Sequence, residues 1–253
     1  MKRENDIWAD LRRLTAARIG LRRAGAALAT RDMLDFQLAH ARARDAVHAP
    51  LDAAKLAADL SGLGIPVICL ASAAADRQTY LMRPDLGRRL NAAADAALTP
   101  YRGDYDVAFV IADGLSARAV ERHAAPILSR AVPALRAEGF KIAPLVIVRH
   151  GRVAAGDSVA TALAARCVAV LIGERPGLSA PDSMGAYLTW RPNGPTTDAG
   201  RNCISNIRPE GVGYDAAAFK LLHLLRAMRA RKLSGVALKD DSDQLSDRLL
   251  PNR

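Results

Sequence analysis

DVAFVIADG, residues 106–114, is the stretch on which the fold turns. Val107 to Ala112 form an unbroken apolar run between two aspartates. A strand with one wet face alternates apolar and polar residues, whereas a strand buried on both faces does not. This run therefore predicts a parallel strand inside a sheet covered on both sides, closed by the turn signal Asp113-Gly114. KIAPLVIVRHG (141–151) and CVAVLIGERPG (167–177) repeat the pattern. Between the three lie SARAVERHAAPILSRAVPALRAEG (116–139), with helical spacing and a closing glycine, and SVATALAARC (158–167). Strands and helices alternating at these intervals predict βαβ units and a doubly wound, mostly parallel α/β sheet.

Working outward, PVICLA (66–71) is another strand candidate. In TYLMRPDLGRRL (79–90), Pro84 is placed to start a helix that runs on through NAAADAAL. Residues 6–24 carry Ile7, Leu11, Leu14 and Leu21 at roughly helical spacing, ending near Gly25. Thr30 is placed to cap a second helix through TRDMLDFQLAHARARDAVH, with Leu34, Leu38 and Ala41 on one stripe. Downstream, YLTW (187–190) predicts an edge strand and RNCISNI (201–207) a polar loop. GYDAAAFKLLHLLRAMRARK (213–232) predicts a helix with Ala218, Phe219, Leu222 and Leu225 inward, and the tail after about 234 reads as loose. One boundary is expected, between an N-terminal helical segment (1–60) and an α/β domain (61–253).

Half of the 253 residues are hydrophobic and a quarter are charged, as in a soluble globular protein. No stretch approaches the roughly 18 apolar residues of a membrane span. The N-terminus, MKRENDIWADLRR, has no apolar core and predicts no secretory signal. Three cysteines without CxxC spacing argue against a disulfide framework or a structural zinc site, so a reducing, cytoplasmic setting is expected. Cys69 and Cys167 lie in apolar runs and read as core thiols. The net charge is +10, and residues 1–31 hold eight basic side chains against three acidic ones. Such a patch suits nucleic acid, phosphate groups or an acidic protein partner, and equally a solvated basic face. Trp8 and Phe36 stand alone, without the interleaved aromatics of a single-strand nucleic-acid binder.

Three predicted strands end in unusual loops: Asp113 to Ser116, Arg149 to Val153, and Gly173 to Gly177. In a parallel sheet these ends share an edge, where a ligand crevice forms. Asp113, Ser116, His150 and Cys203 offer nucleophile and base types, with Arg201 and Arg208 able to supply positive charge near Cys203. G-x-S-x-G, H-E-x-x-H, a P-loop and a strand followed by G-x-G-x-x-G are all missing, so binding is favoured over chemistry. An independent α/β enzyme using Ser116, His150 or Cys203 is one alternative, and a basic binding module is another.

Seven blocks then occur in order: ADLRRLTAARIGLRRAG, FQLAHARARDAV, YLMRPDLGRRL, IADGLSARAV, VRHGRVAAGD, LIGERPGL and RNCISNI. Together they resemble the small-subunit (light-chain) family of ethanolamine ammonia-lyase. The resemblance implies an adenosylcobalamin-dependent lyase that turns ethanolamine into acetaldehyde and ammonia. It implies a hetero-oligomer in which a large TIM-barrel subunit binds ethanolamine and hosts the radical chemistry. The small subunit, Rossmann-like with an N-terminal helical extension, covers the cobalamin at the subunit interface, and its basic N-terminus would dock on acidic surface of the large subunit. Carried over by position, the cofactor contacts fall on Val153, Glu174 and Cys203, with no catalytic residue and no metal ligand in this chain. The D-x-H-x-x-G cobalt-ligand motif is missing, His150 being followed by Gly151-Arg152-Val153, in keeping with a base-on cofactor. Neither nucleic acid nor membrane is expected as a partner. Some family members carry a long N-terminal extension linked to a bacterial microcompartment; this chain starts close to the family's first helix, so a diffuse cytoplasmic location is expected as readily as an encapsulated one.

Overall fold

The computed structural model describes residues 8–192 and 196–242. Helix α1 (Trp8–Leu14) leads into a hairpin of β1 (Arg23–Ala24) and β2 (Ala27–Leu28), then helix α2 (Thr30–His48). The helix predicted over 6–24 therefore stops at Leu14. The chain turns back on itself, and Trp8 lies where a Cβ at Gly20, which has φ 56°, would sit. Thr30 is the first helical residue of α2, not its cap; Ala29 holds that position without a side-chain bond.

Asp52 caps α3 (Ala53–Leu60), accepting from the Lys55 amide at 2.9 Å. Strand β3 (Val67–Ala71) follows. After α4 (Arg77–Met82), the helix expected from Pro84 onward is instead two short pieces, α5 (Pro84–Gly87) and α6 (Ala94–Leu98). Pro84 does begin a turn, but it forces Arg83 out of helical geometry (φ −124°, ψ 77°). Beyond it the chain is drawn back to the sheet edge, where the Ala73 amide donates to Arg89 O and the Asn91 amide to Ala71 O.

The remaining elements are β4 (Tyr105–Ala112), α7 (Ala117–Ala137), β5 (Leu145–Arg149), α8 (Ala155–Leu163), β6 (Ala165–Gly173), β7 (Met184–Trp190), β8 (Asn202–Ile207) and α9 (Tyr214–Arg231). The six-stranded sheet runs β3-β5-β4-β6-β7-β8. The first three pairings are parallel and the last two antiparallel, which bears out an α/β class with a mostly parallel, though mixed, sheet. Both faces are covered. Val107, Phe109 and Ile111 pack with α7 and α9, while Ala108, Val110 and Ala112 pack with α6 and α8. That double burial is why the strand lacks polar alternation.

Three expectations change. YLTW belongs to an internal strand, since β7 pairs with both β6 and β8. RNCISNI forms the edge strand β8, not a loop; Asn202, Ile204 and Ile207 are buried, and Cys203 and Ser205 are exposed. Cys69 is exposed because β3 is the opposite edge. On α9, Ala218 and Leu225 are buried as predicted, whereas Phe219 and Leu222 are half-buried and Leu221, Leu224 and Met228 complete the inner stripe. Residues just past 234 are packed: Leu238 is buried, the Gly235 amide donates to Asn202 Oδ1 at 2.7 Å, and Asn202 Nδ2 donates to Leu238 O at 2.7 Å. Residues 243–253 of the expected loose tail lie outside the described residues.

Candidate ligand-binding face

The three strand-end loops do meet on one edge, but they close on one another. The Leu115 amide donates to Gly173 O at 3.0 Å. A Cβ on Gly114 would lie 2.3 Å from that oxygen, and one on Gly173 would lie 2.0 Å from Ser116 O. Asp113 is buried and its Oδ1 accepts from the Gly151 amide at 3.2 Å, joining the second loop to the first. Burial pushes the Asp113 carboxyl up, opposed by hydrogen bonds from the 150–151 backbone and by Arg77, 3.6 Å away.

The open surface lies one step along the sheet, on the α8 side of β7 and β8. Register places Gly185 and Tyr187 on the same face as Ile172 and Val170. Cys203 pairs with Tyr187 and shares that face. The opposite face of β8 is sealed by α9, whereas here Cys203 is exposed and Tyr187 half-buried. The Glu174 carboxylate reaches across from the end of β6, and both its oxygens lie within reach of the Asn206 amide, at 3.2 and 3.1 Å. Gly185 makes room for it: a Cβ there would meet Glu174 Oε1 at 3.1 Å and the Tyr187 ring at 3.3 Å. Val153, half-buried in the loop before α8, packs on the same core cluster as Tyr187. Val153, Glu174 and Cys203 thus all border one side of the sheet.

Cys203 is exposed as a residue, yet partial burial of its thiol and the nearby Glu174 raise its pKa, more than a hydrogen bond with Tyr187 lowers it. The Tyr187 hydroxyl is pushed up to about 12, chiefly by burial. The arginines expected to activate the thiol are engaged elsewhere. Arg201 donates to both Asp157 oxygens at 2.7 and 2.6 Å and to Thr189 Oγ1 at 2.9 Å, a buried clamp between α8 and the start of β8. Arg208 donates to Asn206 Oδ1 at 2.9 Å. A thiol so placed is not activated as a nucleophile.

The other nucleophile and base types do not assemble. Ser116 is buried and its hydroxyl donates to Pro181 O at 3.1 Å; it precedes α7 without a side-chain cap bond. His150, held at φ 54°, places Nδ1 3.3 Å from Ala74 O beside the Tyr80 ring. Three side chains with three separate partners do not make a nucleophile–base set.

A family model described as ethanolamine ammonia-lyase light chain matches residues 5–239. The chain belongs to that family. Ethanolamine ammonia-lyase is a carbon–nitrogen lyase, and the light chain is one of its subunits. Proteins named ethanolamine ammonia-lyase small subunit are similar along nearly their whole length. The one from Ralstonia nicotianae is 54% identical over 240 residues, covering 93% of this chain and 89% of that protein. The Azotobacter vinelandii protein is 53% identical over 240 residues, with the same coverage. The Pseudomonas fluorescens protein is 52% identical over 251 residues, covering 95% and 92%. In this light chain, sequence reasoning missed Gly185, Tyr187 and Asn206. Strand alternation in 201–207 would have found the face they line, because it sets Cys203 opposite buried neighbours.

Proposed function

We propose that this chain is the small subunit of an adenosylcobalamin-dependent ethanolamine ammonia-lyase, with the face bordered by Val153, Glu174 and Cys203 lying against the corrin and the large subunit closing the other side. The observation that carries this reading is the Glu174 carboxylate, laid over the side-chain-free Gly185 and anchored, among the described residues, by the Asn206 amide. A carboxylate has about four acceptor sites, so most remain for donors arriving from the open face. The amide groups around a corrin are such donors. Val153 offers apolar contact, and the protonated Cys203 thiol a compact one beside Tyr187. The residues present fit the group.

When bound, adenosylcobalamin supplies the radical for conversion of ethanolamine to acetaldehyde and ammonia. This chain's residues orient the cofactor and exclude water from one side. None ligates cobalt, in keeping with the base-on form, and none enters the bond-breaking steps, which belong to the large subunit with its ethanolamine site. The location proposed is the cytoplasm, free or inside a microcompartment. The test is co-expression with the large subunit: a complex that turns over ethanolamine only with both chains and adenosylcobalamin supports the reading, and full turnover by either chain alone overturns it.

A further inference from the structure

Strands β7 and β8 do not pair in step throughout. Ala186 faces Ile204 and Met184 faces Ile207, so Gly185 stands opposite two residues, Ser205 and Asn206. The extra residue makes a β-bulge, a device that takes a backbone group out of the ladder and re-aims it. Asn206 sits at φ 57°, in the left-handed region that asparagine enters more readily than most side chains. Its amide is turned onto the Glu174 carboxylate, 3.2 and 3.1 Å from the two oxygens.

A left-handed residue near the end of an edge strand keeps its geometry only where its surroundings fix it. Two groups do so here. The Val212 amide donates to Asn206 O at 2.8 Å, and a Cβ at Gly211 would lie 2.3 Å from that oxygen, so the turn after β8 packs directly on the carbonyl. Arg208, with its side chain only 15% exposed, holds the other end: Nε donates to Asn206 Oδ1 at 2.9 Å. The same guanidinium reaches Ser179 O at 3.4 Å, in the loop from β6 to β7 that Glu174 opens, and lies 3.5 Å from the exposed Glu210 carboxylate. One planar fork thus joins the bulge to the loop that carries Glu174. A staple of this kind serves stability alone when the groups it fixes end inside the protein. This one ends on a carboxylate that borders the open face.

We propose that Arg208 is a positioning residue for cofactor binding. By fixing Asn206 and the loop at Ser179, it holds the Glu174 carboxylate so that its remaining acceptor sites meet the corrin amides. The inference rests on the cofactor role proposed above for Glu174.

The test uses the complex of both subunits and reads adenosylcobalamin affinity by equilibrium dialysis, with KM for the cofactor and kcat from turnover. Arg208→Met keeps an apolar stem and removes the donors. Affinity should fall about fivefold to tenfold, with the change in KM larger than that in kcat. Arg208→Lys, which keeps a charged donor, should recover part of the loss. In a chain already carrying Glu174→Ala, Arg208→Met should cost less than about twofold, because its effect runs through the missing carboxylate. Asn206→Gly keeps the positive φ without steric cost but gives Arg208 no side chain to hold. It should bring a similar loss, and it decides the matter if Arg208→Met fails to assemble. Unchanged affinity in an assembled Arg208→Met complex, or an equal loss with and without Glu174, overturns the positioning role and leaves Glu174 as a contact if Glu174→Ala alone weakens binding. If Glu174→Ala leaves affinity unchanged, the reading of Glu174 itself falls, and the positioning role with it.

Discussion

Because Gly185 carries no side chain, the Glu174 carboxylate lies over β7, and the Asn206 amide fixes it. Replacing Glu174 with alanine removes the acceptors and leaves the exposed Asn206 amide to water. Cobalamin affinity of the complex should fall about tenfold to a hundredfold, read by equilibrium dialysis, with the subunits still associated. Cys203 makes a separate prediction. Its raised pKa keeps the thiol protonated at neutral pH, so peptide mapping should show slower alkylation at pH 7.4 in the native chain than in urea. His123 sets a pH dependence of stability. It is buried between α7 and α9 with Nδ1 2.9 Å from the Tyr214 hydroxyl, and burial lowers its pKa below the ordinary 6.5. The unfolded chain therefore binds the proton more readily. The stabilisation is full above pH 6.5 and is lost as pH falls through the lowered folded-state value. Melting temperature should drop between pH 7.5 and 5.5, and His123→Gln should flatten that drop.

At the scale of elements, the buried parallel strands were legible because their composition leaves one solution: an unbroken apolar run has no face to offer water. The C-terminal edge was not. Cys203 and Ser205 look like loop residues until β8 is seen as a strand with one uncovered face, and Asn202 looks exposed until Gly235 and Leu238 bond it. The same blindness hid the breaks after Met82, which depend on pairing with the sheet edge. Two clamps hold the edge in place. A methyl group on Gly173 would press on backbone oxygens of 113 and 116, which cannot move aside, so Gly173→Ala should destabilise the chain by about 3 kcal/mol or more in denaturant titration. Asp157→Ala would strand the buried Arg201 charge at a cost of about 3–5 kcal/mol, with β8 losing exchange protection before the parallel strands.

For the whole molecule, sheet order divides the labour. Three parallel pairings make a rigid body whose strand-end loops lock together, and two antiparallel strands extend it into a half-covered platform. Glu174 and Cys203 lie on that platform and Val153 stands on the same side of the sheet, in the loop before α8, although the crevice expected from topology alone is closed. Beyond it stand α1 and α2, where basic and apolar side chains are exposed together. The most direct measurement is gel filtration of adenosylcobalamin with each subunit alone, with both together, and with both carrying Val153→Asp and Glu174→Ala in this chain. Cobalamin absorbance should follow the parent complex and be lost from both the single subunits and the variant complex. Cobalamin retained equally by the large subunit alone, or by the variant complex, would contradict it.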